Sequence, residues 1–115
     1  MNTEELKQWL IASGFHIAPN PVKHDINDCP WYAYRRTKGT VDCQCNDKPP
    51  SLCITPFEFY IRDQLIQSVE VSIIGEQDVW WNLKAYSLSY DTLKDKLPTV
   101  ESQLVRAWNA LTQTV

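Results

Sequence analysis

Four cysteines, Cys29, Cys43, Cys45 and Cys53, are the side chains whose type and spacing best suit chemistry. Thiolates gathered in one place can hold a tetrahedral Zn²⁺ ion, which would pin loops that lack a core of their own. They converge if residues 41–45 run antiparallel to the strand holding Cys53, through a loop at 46–52. Cys45 then faces Cys53, Cys43 lies two residues along on the same face, and Cys29 belongs to the same end of the sheet. His16 and His24 are reserve ligands on the adjacent loop. The same residues also fit two other states. They can be small, half-buried apolar side chains in a reducing compartment, or Cys45 and Cys53 can form a disulfide in an oxidising one. A catalytic thiol would need an electropositive pocket and a neighbouring base, and the sequence displays neither.

The second chemical grouping is aromatic and cationic. Trp31, Tyr32, Tyr34, Arg35, Arg36 and Lys38 form the one basic cluster, suited to phosphate, an acidic partner or single-stranded nucleic acid. The alternative is an edge strand whose charges guard against sheet-to-sheet pairing. Tyr60, Trp80 and Tyr86, with Arg62 and Lys84 beside them, fall on the polar face of the expected sheet, where they would stack bases or contact a protein. A short helix or the 16–30 loop folding over that face is the competing explanation. No catalytic residue is expected: there is no glycine-rich phosphate loop, serine elbow or helical histidine pair. Asp91 and Asp95 are one helical turn apart but are interspersed with Lys94 and Lys96, as on a solvated face.

These groups are positioned by elements that the pattern makes visible. Leu6, Trp9, Leu10 and Ser13 recur at helical spacing, Asn2 and Glu5 have the spacing of a capping box, and Gly14 stands where a left-handed terminator is wanted. Tyr90, Leu93 and Leu97 predict a short helix that Pro98 stops. A longer one opens at Pro98, with Val100, Leu104, Ala107, Trp108 and Leu111 on its stripe and Glu101 at the positive end of its dipole.

Between the helices the period is two. Cys53, Thr55, Phe57, Phe59 and Ile61 are expected to face inward, as are Val69, Val71 and Ile73, and Val79, Trp81, Leu83 and Ala85. A three-residue loop at 62–64 would pair Ile61 with Leu65 and Phe57 with Val69. A second, at 76–78, would pair Val71 with Leu83 and set Glu70 opposite Lys84. Residues 31–36 and 41–45 add two weaker strands, and 16–30, with three prolines, read as loop.

The expected fold is a two-layer α+β domain spanning 1–115: an N-terminal helix, a four- to five-stranded antiparallel meander, and one short and one longer C-terminal helix on one sheet face. The 115 residues suffice for one domain, and 43% apolar with 22% charged residues is a globular composition. No stretch is long and apolar enough for a membrane span. The acidic start, Met1 to Glu5, is unlike an export signal, so a cytoplasmic setting is expected. A net charge of -3 opposes a general duplex-binding surface. The order of elements resembles a double-stranded RNA-binding domain, but that family's last helix opens with lysines where this one opens Pro98-Thr99-Val100-Glu101.

Residues 31–36, 80–90 (WWNLKAYSLSY) and 104–111 (LVRAWNAL) resemble small accessory proteins of unknown role encoded in phages and prophages. That resemblance implies an origin and supplies no catalytic residue. The expected function is non-enzymatic binding of another macromolecule, a protein first, with a zinc-stabilised module or a single-stranded nucleic-acid binder as alternatives. An exposed apolar sheet face would favour a homodimer.

Overall fold

The structure, a computed structural model, describes residues 2–20, 29–37, 50–75 and 81–113. It is an α+β fold in which helix α1 (Thr3–Ala12) is followed by strands β1 (His16–Pro19), β2 (Trp31–Arg36), β3 (Ser51–Ile61), β4 (Gln64–Gly75) and β5 (Trp81–Leu88), then helix α2 (Tyr90–Gln113). The strands form one open antiparallel sheet in the order β1-β2-β3-β4-β5. The strand expected at 41–45 lies outside the described residues, whereas β1 arises inside the stretch read as loop. Its four residues are too few to display a period.

Local chemistry sets both ends of α1. The Asn2 side chain accepts from the Glu5 N–H at 2.8 Å, closing the N-terminus. At the other end the Gly14 N–H reaches the Ile11 carbonyl and the Phe15 N–H reaches that of Leu10. This double closure requires the left-handed φ of +92° that Gly14 supplies. It also turns Phe15 back into the core beside Leu6 and Leu10. Ser13, expected on the apolar stripe, is exposed and donates to the Trp9 carbonyl at 2.8 Å.

α2 corrects the expectation of two helices. It runs unbroken through Pro98, which is exposed. Ser89 caps it by accepting from the Thr92 N–H at 3.2 Å. An internal proline deletes one helical hydrogen bond and costs about 3 kcal/mol. Here Leu93, Leu97, Val100, Leu104, Val105 and Trp108 are buried along one stripe that continues across it. At roughly 1.5–3 kcal/mol for each buried large side chain, that stripe outweighs the break.

The sheet's inward row is Ala33 from β2, Leu52, Ile54 and Pro56 from β3, and Val69, Val71 and Ile73 from β4, and all but Pro56 merge with both helices into one core. β4 therefore faces as expected, and β3 is inverted. The cause is the turn, which has two residues rather than three: Ile61 pairs with Gln64, Phe57 with Ser68, Pro56 with Val69 and Ile54 with Val71. Arg62 and Asp63 both have left-handed φ, 50° and 63°, as in the tight hairpin turn whose twist matches the strands. Cys53, Thr55, Phe57, Phe59 and Ile61 thus lie on the outer face. The β4–β5 register is displaced too, with Gly75 opposite Trp81 and a shift between Val71 and Ser72, so that Ile73 meets Leu83, Ser72 meets Lys84 and Glu70 meets Ser87. The expected Glu70–Lys84 and Val71–Leu83 pairings are not formed. The proposed loop at 76–78 lies outside the described residues.

Left-handed φ at two side-chain-bearing residues costs about 1–2 kcal/mol each. Replacing the pair by Arg62→Asn with Asp63→Gly, the residues this turn favours, is expected to raise unfolding stability by about 1 kcal/mol in a urea titration. A loss of stability would mean that a different turn is present.

Candidate functional site

The inverted β3 leads to a hairpin arm. β2 pairs with β3 only from Ser51 to Ile54, and β5 pairs with β4 only from Val69 to Gly75, so beyond those points the two strands continue alone to the turn. Pro56 marks the departure of β2, since it has no N–H to offer a neighbour. A polar knot sits at the root of the arm. Glu58 accepts from Thr3 Oγ1 at 2.9 Å and from Gln67 Nε2 at 3.0 Å, and Thr3 Oγ1 lies 3.3 Å from the Tyr90 hydroxyl. Both helix starts are thereby tied to β3 and β4. Past the knot Phe59 is 37% exposed, Ile61 53%, Tyr60 63% and Leu65 43%.

Towards β1 the outer face becomes an aromatic strip. The His16 and Tyr34 rings lie 5.4 Å apart, Tyr32 and Tyr34 5.9 Å, and Phe57 and Phe59 stack at 5.8 Å. Arg36, on the same side of β2 as Tyr34, is exposed.

Arg35 points the other way. Its guanidinium grips Glu101 through both nitrogens, at 2.6 and 2.9 Å, with the two side chains only 17% and 12% exposed, and it lies 4.8 Å from the centre of the Phe15 ring. The cation offered to phosphate in the sequence reading is thus committed to joining β2 to α2. Trp31 is half-buried against the core with Lys7 Nζ 6.0 Å from its ring. Tyr60 is on the exposed arm. Lys84 and Tyr86 occupy β5 positions opposite Ser72 and Val71. Lys38 and Trp80 lie outside the described residues.

Cys29 and Cys53 are both buried and unpaired. Cys53 is opposite Tyr34 on one side and Ser72 on the other, because β2 and β4 flank β3 there. Cys29 sits just before β2, within the electrostatic reach of Glu58 and Lys7 on the helix side. The structure therefore does not bring these two thiols together. Cys43, Cys45 and His24 lie outside the described residues, and among the described ones no three His, Cys, Asp or Glu side chains form a group able to hold a metal ion.

Burial pushes the Cys53 thiol up to about 11 from an ordinary 9.0. It also raises Cys29, Tyr32 and Tyr90, opposed at Cys29 by a backbone hydrogen bond from Trp31 and by Lys7, and at Tyr90 by the hydrogen bond to Thr3. Below pH 9 the Cys53 thiol is protonated in both folded and unfolded chains. Between 9 and about 11 the unfolded chain sheds a proton that the fold retains, so stability falls as pH rises, by about 3 kcal/mol from this group. The melting temperature is therefore expected to drop from pH 9 to 11, and Cys53→Ala to soften the drop. A wild-type melting temperature that stays level to pH 11 would contradict the burial of this thiol.

Alternation hides the arm, because it puts Phe57, Phe59 and Ile61 in the core. Pro56 was the available signal, since a proline inside a strand marks an edge. Among the described residues no helix is long and apolar enough to cross a membrane. Comparisons with protein-family models, curated proteins and solved structures found no match for the chain.

Proposed function

We propose that this chain works by binding another protein through the β3–β4 arm and performs no chemistry of its own. One observation carries the reading. Of the large apolar side chains exposed among residues 2–20, 29–37, 50–74 and 87–110, Phe59, Tyr60, Ile61 and Leu65 are on the arm, and only Ile11 is elsewhere. Clustered apolar exposure of this kind marks a contact surface, and aromatic anchors dominate the energetics of such contacts. The knot at Glu58 supports the reading, because it fixes the root of the arm to both helices and so holds these side chains in place before any partner arrives. A cytoplasmic setting belongs to the same reading, supported by the two unpaired thiols Cys29 and Cys53. So does a phage or prophage origin, supported by the resemblance at residues 31–36, 80–90 and 104–111.

The test compares wild type with a Phe59→Ser, Leu65→Ser chain as bait in lysate of the source cell, then repeats the binding with purified partner. At least one protein should bind the wild type and lose affinity by tenfold or more with the variant. Equal capture by both baits would overturn the proposal. Salt-sensitive binding of single-stranded oligonucleotides that survives in the arm variant and is lost with Arg36→Ala would favour nucleic acid instead.

A further inference from the structure

Past the knot the arm is apolar on both of its faces. Strand alternation puts Tyr60 and Leu65 on the side that the helices cover further back, where Ile54, Pro56 and Val69 also point. Phe59 and Ile61 lie on the outer side. At about 200 Å² for a large side chain, the exposed fractions of these four leave roughly 200 Å² bare on each face. A strand pair meant to keep one face in water would carry polar side chains there instead. At the tip, Arg62 and Asp63 are both exposed and both held in left-handed backbone.

We infer that the partner is a protein with a narrow cleft, whose two apolar walls hold the arm from both faces. The floor of that cleft meets the Arg62 guanidinium with a carboxylate and the Asp63 carboxylate with hydrogen-bond donors. This rests on the reading of the arm as a protein-binding surface, and it states the shape and chemistry that its partner must have.

Area decides against a flat occupant. One side of a standard protein interface buries about 800 Å². A flat surface, or the ribbon of a second copy laid against this one, would cover one face and gain roughly 200 Å² of apolar contact. The arm beyond the knot, residues 59–66, is about 14 Å long and about 10 Å across in each direction. Enclosing it buries on the order of 600 Å² and takes in both sets of side chains, which reaches the scale of a stable contact. Charge decides against a bilayer. Arg62 and Asp63 lead the arm, and a lipid interior would strip both of water without offering either a partner, whereas a protein floor can supply the opposite charges.

The probe is the protein that the wild type captures from lysate of the source cell, purified, and isothermal titration calorimetry measures its affinity for three variants of the full chain. Tyr60→Ser with Leu65→Ser strips one face, Phe59→Ser with Ile61→Ser strips the other, and Arg62→Glu reverses the charge at the tip. Each double variant should bind about tenfold or more weakly, and Arg62→Glu about fivefold or more, with circular dichroism showing all three folded. If a double variant unfolds, the single change Tyr60→Ser or Ile61→Ser, at the most exposed position of that face, takes its place. Affinity that survives the loss of either face overturns the inference and leaves the proposed function standing, as does full affinity in Arg62→Glu. A wild type that captures no protein overturns both. Co-sedimentation of the wild type with phosphatidylcholine vesicles, abolished in either double variant, would assign the arm to a lipid surface and overturn both as well.

Discussion

Ile54→Ala is expected to lose about 3–5 kcal/mol of unfolding stability, whereas Thr55→Ala, one position along β3, should lose about 1 kcal/mol or less. Ile54 is wholly buried, paired with Ala33 on one side and Val71 on the other beneath the helices. Removing its side chain beyond Cβ leaves a cavity that three rigid strands cannot close, so the cavity adds to the lost transfer free energy. Thr55 is half-buried on the outer face, with Glu70 as its partner. Urea titrations read both values, and the contrast between them matters more than either alone. A costly Thr55→Ala with a mild Ile54→Ala would mean that Cys53, Thr55 and Phe57 face the core in place of Leu52 and Ile54.

Glu101→Leu is expected to cost about 3 kcal/mol, while Arg35→Met combined with Glu101→Leu should recover most of the loss. The two-pronged grip holds both charges largely out of water. Removing the carboxylate alone leaves a guanidinium against the Phe15 ring and an apolar layer, which is the expensive state; removing both replaces the pair with apolar packing. A double-mutant cycle measures the coupling directly. If the two single losses simply added, the ion pair would not be the tie between β2 and α2. The same pairing explains why Arg35 is a poor candidate for phosphate despite its basic neighbourhood, and why Arg36, on the opposite side of the strand, is the better one.

What could be read from sequence was whatever short-range chemistry decides. Asn2 caps α1 and Gly14 ends it as expected, since a cap depends on a few adjacent residues. Of the reciprocal capping box, only the bond from the Glu5 N–H to the Asn2 side chain is formed among the described contacts. Val69, Val71 and Ile73 face inward as expected because Glu70 and Ser72 between them leave one apolar side. β3 offers no such contrast. Leu52, Ile54 and Pro56 are apolar on one side, and Cys53, Phe57, Phe59 and Ile61 on the other, so alternation cannot choose and the length of the turn does. Left-handed backbone at Arg62 and Asp63 is unusual for those residue types and gave no warning.

Pro98 and Glu101 mislead together. A proline read as a helix start makes the glutamate a first-turn charge, whereas inside one long helix it sits within the buried stripe, where only a partner on another strand accounts for it. The β4–β5 shift at Val71 and Ser72 has no counterpart in the alternation pattern, which assumes an unbroken ladder. For the candidate site, Tyr60, expected on the polar face away from the helices, lies on the helix side of β3 and is exposed because it is past the point where helix cover ends.

The central claim is the hairpin register that leaves the arm's β4 edge open, and amide hydrogen exchange resolved residue by residue tests it most directly. The Ile66 and Ser68 amides should exchange at least about tenfold more slowly than those of Leu65 and Gln67, because only the first pair is bonded to β3. Slow exchange at Leu65 and Gln67 with fast exchange at Ile66 and Ser68 would show the strands slipped by one residue and the account wrong.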